Sequence, residues 1–205
     1  MKGMKPGGKL SSGLILALAV NLATWIPGAG AATPMEDIKG LVNEVQTILQ
    51  THSQKAECVD LIEKVTMRHM DFRAMSKRCL GSTWTGLSSA QKNEFVQLFS
   101  DLMKASYAKH LDEFVQAKVN YQGESCDNDA AQVRISVVRP NDRIPVNFRL
   151  LKEPQGWMIY DLVIDGVSMV SNYQCQFARA INAISYQGLL SRLKAHLKAE
   201  SHGKG

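Results

Sequence analysis

Near Val119 the spacing of apolar residues switches from three-and-four to strict alternation, and this switch limits the folds open to the chain more than any other feature. Before it, Ile38, Leu41, Val42, Val45, Ile48 and Leu49 share one face of a helix whose other face carries Lys39, Asn43, Glu44 and Gln46. Val59, Ile62 and Val65 predict a second helix, and Asp71 caps a short third one closed by Gly81. Ser88 and Gln91 have capping-box spacing, with Phe95, Leu98, Phe99, Leu102 and Met103 on one face beyond them. The longest helix is therefore expected over 89–109, with a shorter helical piece around 111–117.

After the switch, Val133, Ile135 and Val137 alternate with Gln132, Arg134 and Ser136, while Ile144, Val146, Phe148 and Leu150 alternate with Pro145, Asn147 and Arg149. Each run reads as a strand with one buried face. Asp127-Asn128-Asp129, Pro140-Asn141-Asp142 and Pro154-Gln155-Gly156 supply turns. Four antiparallel strands, near 119–125, 131–139, 144–151 and 157–164, form a meander. A last helical part after Gly166 carries Leu189, Leu190, Leu193 and Leu197 on one stripe. The plan is α+β, a curved four-stranded antiparallel sheet covered by several helices.

The first 31 residues read as a separate piece. Lys2, Lys5 and Lys9 form a basic start, Leu14 to Ala23 is apolar but for Asn21, and Ala29-Gly30-Ala31 is a small-x-small cleavage site. These are the parts of a secretory leader cut near Ala31, which places the mature chain in an extracytoplasmic space. An apolar run of about ten residues is half of the roughly 20 needed to span a bilayer. No Cys follows the cut, so a lipid-anchored form is not indicated, and residues 32–205 fit one domain. Without the leader's three lysines the formal charge of +5 falls to +2, which removes the main support for nucleic-acid binding.

Cys58, Cys79, Cys126 and Cys175 form an even set in a compartment that permits disulfides. Four cysteines allow three pairings; the short helical stretch between Cys58 and Cys79 favours that pair, leaving Cys126 with Cys175. A metal site using His69 lacks Cys-x-x-Cys or His-x-x-x-His spacing. Ser168 lacks the second glycine of a nucleophile elbow, His52, His69, His110, His196 and His202 lie in no catalytic context, and Gly7-Gly8-Lys9 is not a phosphate loop. No cofactor is expected.

Three ordered segments carry a resemblance. The first is His69-Met70-Asp71-Phe72 with Met75, Leu80-Gly81 and Trp84; the second runs from Leu87 to Tyr107, with Gln91, Phe95, Phe99 and Tyr107. The third runs from Gly156 to Phe177, with Trp157, Tyr160, Asp161, Gly166, Ser168 and Tyr173. In these the chain resembles the soluble periplasmic phospholipid-binding proteins of the Mla and toluene-tolerance type, a family with a branch associated with hopanoid biosynthesis. It departs at Met70, where Phe is usual, at Met158, where a cation is common, and at Gln174, where Tyr-Arg is usual.

The resemblance implies a cone-like fold of the nuclear-transport-factor type, with an apolar pocket for lipid tails between sheet and helices. The inward strand positions Val133, Ile135, Val137, Val146, Phe148, Leu150, Ile159 and Val163, facing Phe99 and Met103, are the lining expected to bind lipid. Trp84 and Trp157 are expected as core anchors, and Asp161 with Ser168 as a hydrogen-bonded cap. The resemblance further implies a non-enzymatic carrier of a phospholipid or hopanoid-type lipid. Its partners would be an inner-membrane ABC transporter complex with its substrate-binding ring and an outer-membrane lipoprotein complex. The competing readings are an enzyme on the same fold acting through Asp161 or Tyr160, and an adaptor without lipid.

Overall fold

The computed structural model describes residues 32–108 and 117–202; the expected leader and most of the helical piece around 111–117 lie outside the described residues. In chain order the elements are α1 (Pro34–Thr51), α2 (Lys55–His69), α3 (Phe72–Leu80), a 3₁₀ turn (Gly81–Gly86), α4 (Ser89–Ala108), β1 (Lys118–Asp127), β2 (Ala130–Val138), β3 (Arg143–Glu153), β4 (Gly156–Ile164), β5 (Val167–Ser168) and α5 (Met169–His202). The sheet is an antiparallel meander in the order β1-β2-β3-β4-β5. The α+β plan is as expected, with five strands where four were read. The fifth is a two-residue strand folded back by a turn in which Asp165 (φ 49°) and Gly166 (φ 78°) both take positive φ, the geometry of a tight hairpin.

Ser88 and Gln91 close the expected reciprocal capping box before α4, and the structure adds a second one, unread in the sequence, between Thr33 and Glu36 at the start of α1, with Pro34 in its first turn. Asp71 Oδ1 accepts the Ala74 N–H at 2.8 Å to start α3. Helix α5 is broken at Ser185 (φ 67°, ψ 170°), whose hydroxyl accepts the Gly188 N–H at 3.4 Å and so restarts the helix. A Cβ on Gly188 would stand 2.9 Å from Ile184 Cβ, which demands glycine at this bend.

One layer of core lies among α3, α4 and α5, where Phe95, Phe99, Tyr173 and Phe177 meet edge to face at 5.3–6.1 Å. Trp84 is buried as expected under the guanidinium of Arg73 and the ammonium of Lys92, while Trp157 is half-buried. A second layer lies between the sheet and α1 with α2. Helix α1 is pinned at its start to both sides of one sheet end: the Met35 N–H donates to Glu124 Oε2 at 2.7 Å and the Trp157 N–H to Asp37 Oδ2 at 3.3 Å. Its later turns run over the opposite end, where Gln46 Nε2 donates to the Ala117 carbonyl at 3.1 Å.

The cysteines differ from expectation, since all four are free thiols. Cys58 Sγ points back to the His52 carbonyl at 3.3 Å, whereas Cys79 Sγ points across to the Val170 carbonyl on α5 at 3.7 Å. The two thiols expected to pair are thus committed to carbonyls on different elements, and Cys126 and Cys175 remain exposed.

Candidate functional site

Two periodicities facing each other build a cavity of about 280 Å³ between α1, the end of α2 and the sheet. From α1 come Leu41, Val42, Val45, Gln46 and Leu49 at helical spacing. From the sheet come Val119, Ile135, Val137, Ile144, Val146, Phe148, Ile159, Leu162 and Ile164, and Thr66, Met70 and Ala117 complete the wall. Met70 is held there by the bond from the Asp71 N–H to the Ile159 carbonyl at 2.8 Å, which lays the α2–α3 junction along β4. At this position the flexible thioether of Met70 stands where the resembled family has Phe.

The cavity lies just below the usual range of about 300–1,000 Å³ for ligand pockets. Its exposure gradient locates the opening: Ile159 and Ile135 are 1% and 2% exposed, whereas Ile164, at the far end of β4, is 39% exposed. Val119, Val137 and Ile144 lie at the same end of their strands as Ile164, so that end of the sheet forms the mouth. Among the described residues only Gln46 and Thr66 bring polar side chains to the wall, and the Thr66 hydroxyl proton is spent on the Ile62 and Glu63 carbonyls of its own helix.

The structure divides the ten expected lining residues. Ile135, Val137, Val146, Phe148 and Ile159 line the cavity. Val133 and Leu150 share that sheet face but are fully buried in packed core. Phe99 and Met103 do not face the cavity: Phe99 stacks edge-on with Tyr173 and Phe177 of α5, and Met103 is buried one turn further along α4.

Val163 is misplaced by a β-bulge. Leu150 pairs with Ile159 but Arg149 with Asp161, so Tyr160 is an extra residue and the inward parity of β4 shifts from Ile159 to Leu162 and Ile164. Val163 therefore faces away. The α1 residues were visible as an apolar face, but helical periodicity does not say which helix covers the sheet.

Both residues of the enzyme reading lie off the wall. Asp161 is 2% exposed; its Oδ1 accepts the Val170 N–H at 3.0 Å and its Oδ2 the Ser168 hydroxyl at 2.7 Å and Arg149 Nη1 at 3.0 Å. The Ser171 N–H donates to Ser168 Oγ at 3.0 Å, so the pair caps α5, as expected. The Tyr160 ring is covered by the Arg78 guanidinium at 4.2 Å. Burial, with the nearby Asp161 charge second, pushes the Cys79 thiol up to about 12. Among the described residues no cluster of three or more His, Cys, Asp or Glu side chains is placed to hold a metal, and no helix is long and apolar enough to cross a membrane.

The family model of the MlaC protein matches residues 39–195. The chain belongs to the MlaC family. The intermembrane phospholipid transport system binding protein MlaC of Haemophilus influenzae is 21% identical over 140 residues. That match covers 65% of this chain and 65% of the relative, just under two thirds of the relative's length. A phospholipid-binding protein from Ralstonia solanacearum, solved in complex with a phospholipid, superposes with a TM-score of 0.77 at 21% identity, over 83% of this chain and 99% of that one. The fold is thus that of an MlaC-type protein, and the relatives are named as lipid-binding and transport proteins rather than enzymes.

Proposed function

We propose that this chain is a lipid carrier that holds acyl chains in the cavity between α1 and the sheet, and the observation that carries this is an apolar cavity open at one end. The lipid contacts proposed are Ile135, Val137, Val146, Phe148 and Ile159, with Leu41, Val45 and Leu49 opposite them. The Ralstonia relative's bound phospholipid and the Haemophilus relative's transport role support the same reading.

A diacyl lipid has about thirty methylenes, and at about 0.8 kcal/mol each their exposure to water costs about 24 kcal/mol. That exceeds the practical ceiling of about 18–21 kcal/mol for non-covalent affinity, so a carrier competes with the bilayer rather than with water. It has to match the membrane without greatly exceeding it. The cavity as it stands holds part of one chain, beneath an α1 that is tied to the sheet at its start by Glu124 and Asp37 and further along by Gln46.

In this proposal the chain is exported, cut near Ala31, and works in the periplasm as one domain. It exchanges lipid with an inner-membrane ABC transporter complex and its substrate-binding ring, and with an outer-membrane lipoprotein complex. The cargo is a phospholipid or a hopanoid-type lipid.

Native mass spectrometry of the protein purified from its own host, followed by lipid extraction, tests this. The expected result is a stoichiometric lipid with no covalent change after incubation. Protein that purifies without lipid and takes none up from vesicles would leave only the adaptor reading.

A further inference from the structure

Gln46 stands at the mouth of an otherwise apolar wall with a hydrogen-bonding group to spare. Its one hydrogen bond runs from Nε2 to the Ala117 carbonyl at 3.1 Å. A carbonyl only accepts, so the amide nitrogen is the atom facing it, which fixes the orientation of the amide. One N–H of Gln46 is consumed; the second N–H and Oε1 have no partner among the described residues, and Gln46 is half-buried, so both are reachable from the opening. Thr66 offers no spare donor, because its one hydroxyl proton is already given to carbonyls of its own helix.

The depth of Gln46 carries the argument further. Ala117 immediately precedes β1, at the strand ends that frame the mouth, with Val119 and Ile164 beside it on the wall. A lipid with its tails in the cavity and its headgroup outside crosses that level at the linkage between the two. In a glycerolipid that linkage carries ester carbonyls, which are acceptors with no donor of their own. We propose that Gln46 is a specificity-determining residue whose free amide N–H donates to an acyl-ester carbonyl, so that the carrier selects ester-linked over ether-linked lipids of equal chain length. This inference rests on the carrier reading.

The selectivity comes from the difference between two acceptors in the same place. A dialkyl ether lipid offers the same hydrocarbon but, in place of the carbonyl, only a weaker and sterically hindered ether-oxygen acceptor, so the Gln46 N–H loses most of its bond. Because the bond to Ala117 also helps to hold α1 over the cavity, removing Gln46 changes loading of both lipids together. The ratio between them is free of that effect.

The test uses the full chain purified from its host, incubated with vesicles of equimolar diacyl and dialkyl-ether phosphatidylcholine of the same chain length, re-isolated, and its bound lipids quantified by mass spectrometry. The parent protein is expected to be enriched in the ester lipid about threefold to tenfold, the worth of one neutral hydrogen bond. Gln46→Met, of similar length but without a donor, is expected to bring the ratio to that of the vesicles. Gln46→Lys restores donors at the rim and is expected to retain enrichment. Equal uptake by the parent protein, enrichment surviving in Gln46→Met, or its loss in Gln46→Lys would overturn the role of Gln46 while leaving the carrier reading in place. Uptake of neither lipid by the parent would overturn the role of Gln46 together with the phospholipid form of the carrier reading, whereas stoichiometric lipid extracted from the same host-purified protein would leave a carrier of another lipid class.

Discussion

Val146 and Val133 lie on the same face of the sheet, but Val146 is half-buried on the cavity wall and Val133 is 0% exposed in packed core. An aspartate should therefore do different things at the two positions. In Val133→Asp the carboxylate has no water and no partner, an uncompensated buried charge costing about 3–5 kcal/mol. For a chain of this size that lowers the melting temperature by about 6–20 °C, a large part of a typical stability of about 5–15 kcal/mol. In Val146→Asp the carboxylate reaches water through the empty cavity, so the loss is the burial of half a valine, about 0.8–1.5 kcal/mol and about 2–6 °C. Filling the cavity with an acyl chain strips that water away, at a cost of at least about 3 kcal/mol, which lowers lipid occupancy roughly a hundredfold.

Circular-dichroism melts beside lipid extraction from the same samples separate the two variants. Val146→Asp is expected to melt near the parent and lose lipid, and Val133→Asp to melt well below both while its folded fraction keeps lipid. If Val146→Asp melts as low as Val133→Asp, or folds with its lipid intact, Val146 is not on a lipid cavity.

Asp161→Asn keeps one acceptor where Asp161 uses both oxygens, so it is expected to lose about 1–3 kcal/mol of stability by chemical denaturation while moving lipid between vesicles at the parent rate. A thiol raised from 9.0 to about 12 favours the folded state fully below pH 9, and this contribution disappears as pH rises from 9 toward 12. The stability difference between the parent and Cys79→Ala should accordingly narrow over that window, and a pH-independent difference would contradict the placement of Cys79. Intact mass of the exported protein should show cleavage near Ala31; a main species retaining Trp25 would refute the leader.

The parts of this fold legible in the sequence are those set by local chemistry. The capping box at Ser88, the Asp71 cap, the strand alternation of β2 and β3 and the Asp161–Ser168 cap all use groups within nine residues of one another. The site was half legible. Alternation identified the inward face of β2 and β3, but a single extra residue, Tyr160, reversed the parity of β4, and nothing in its residue types marks a bulge. Phe99 was read toward the sheet because a helical stripe shows that a face is buried and not what buries it; its partners, Tyr173 and Phe177, are more than seventy residues away. Helix α1 supplies one wall of the cavity for the same reason in reverse, since its apolar stripe was plain and its destination was not. The disulfide expectation rested on sequence proximity, whereas a bridge depends on side-chain direction, and Cys58 and Cys79 point to different elements.

The central claim is that the hydrocarbon lies between α1 and the sheet. A phospholipid with a photoactivatable group at the end of one acyl chain, loaded onto the full-length protein and irradiated, tests this directly by mapping the labelled peptides. The account predicts labels at the closed end of the cavity, on Ile135, Ile159 and Met70, with Leu41 of α1 across from them. Labels concentrated on Phe95, Phe99 or Phe177 between α4 and α5, or scattered over exposed surface, would contradict it.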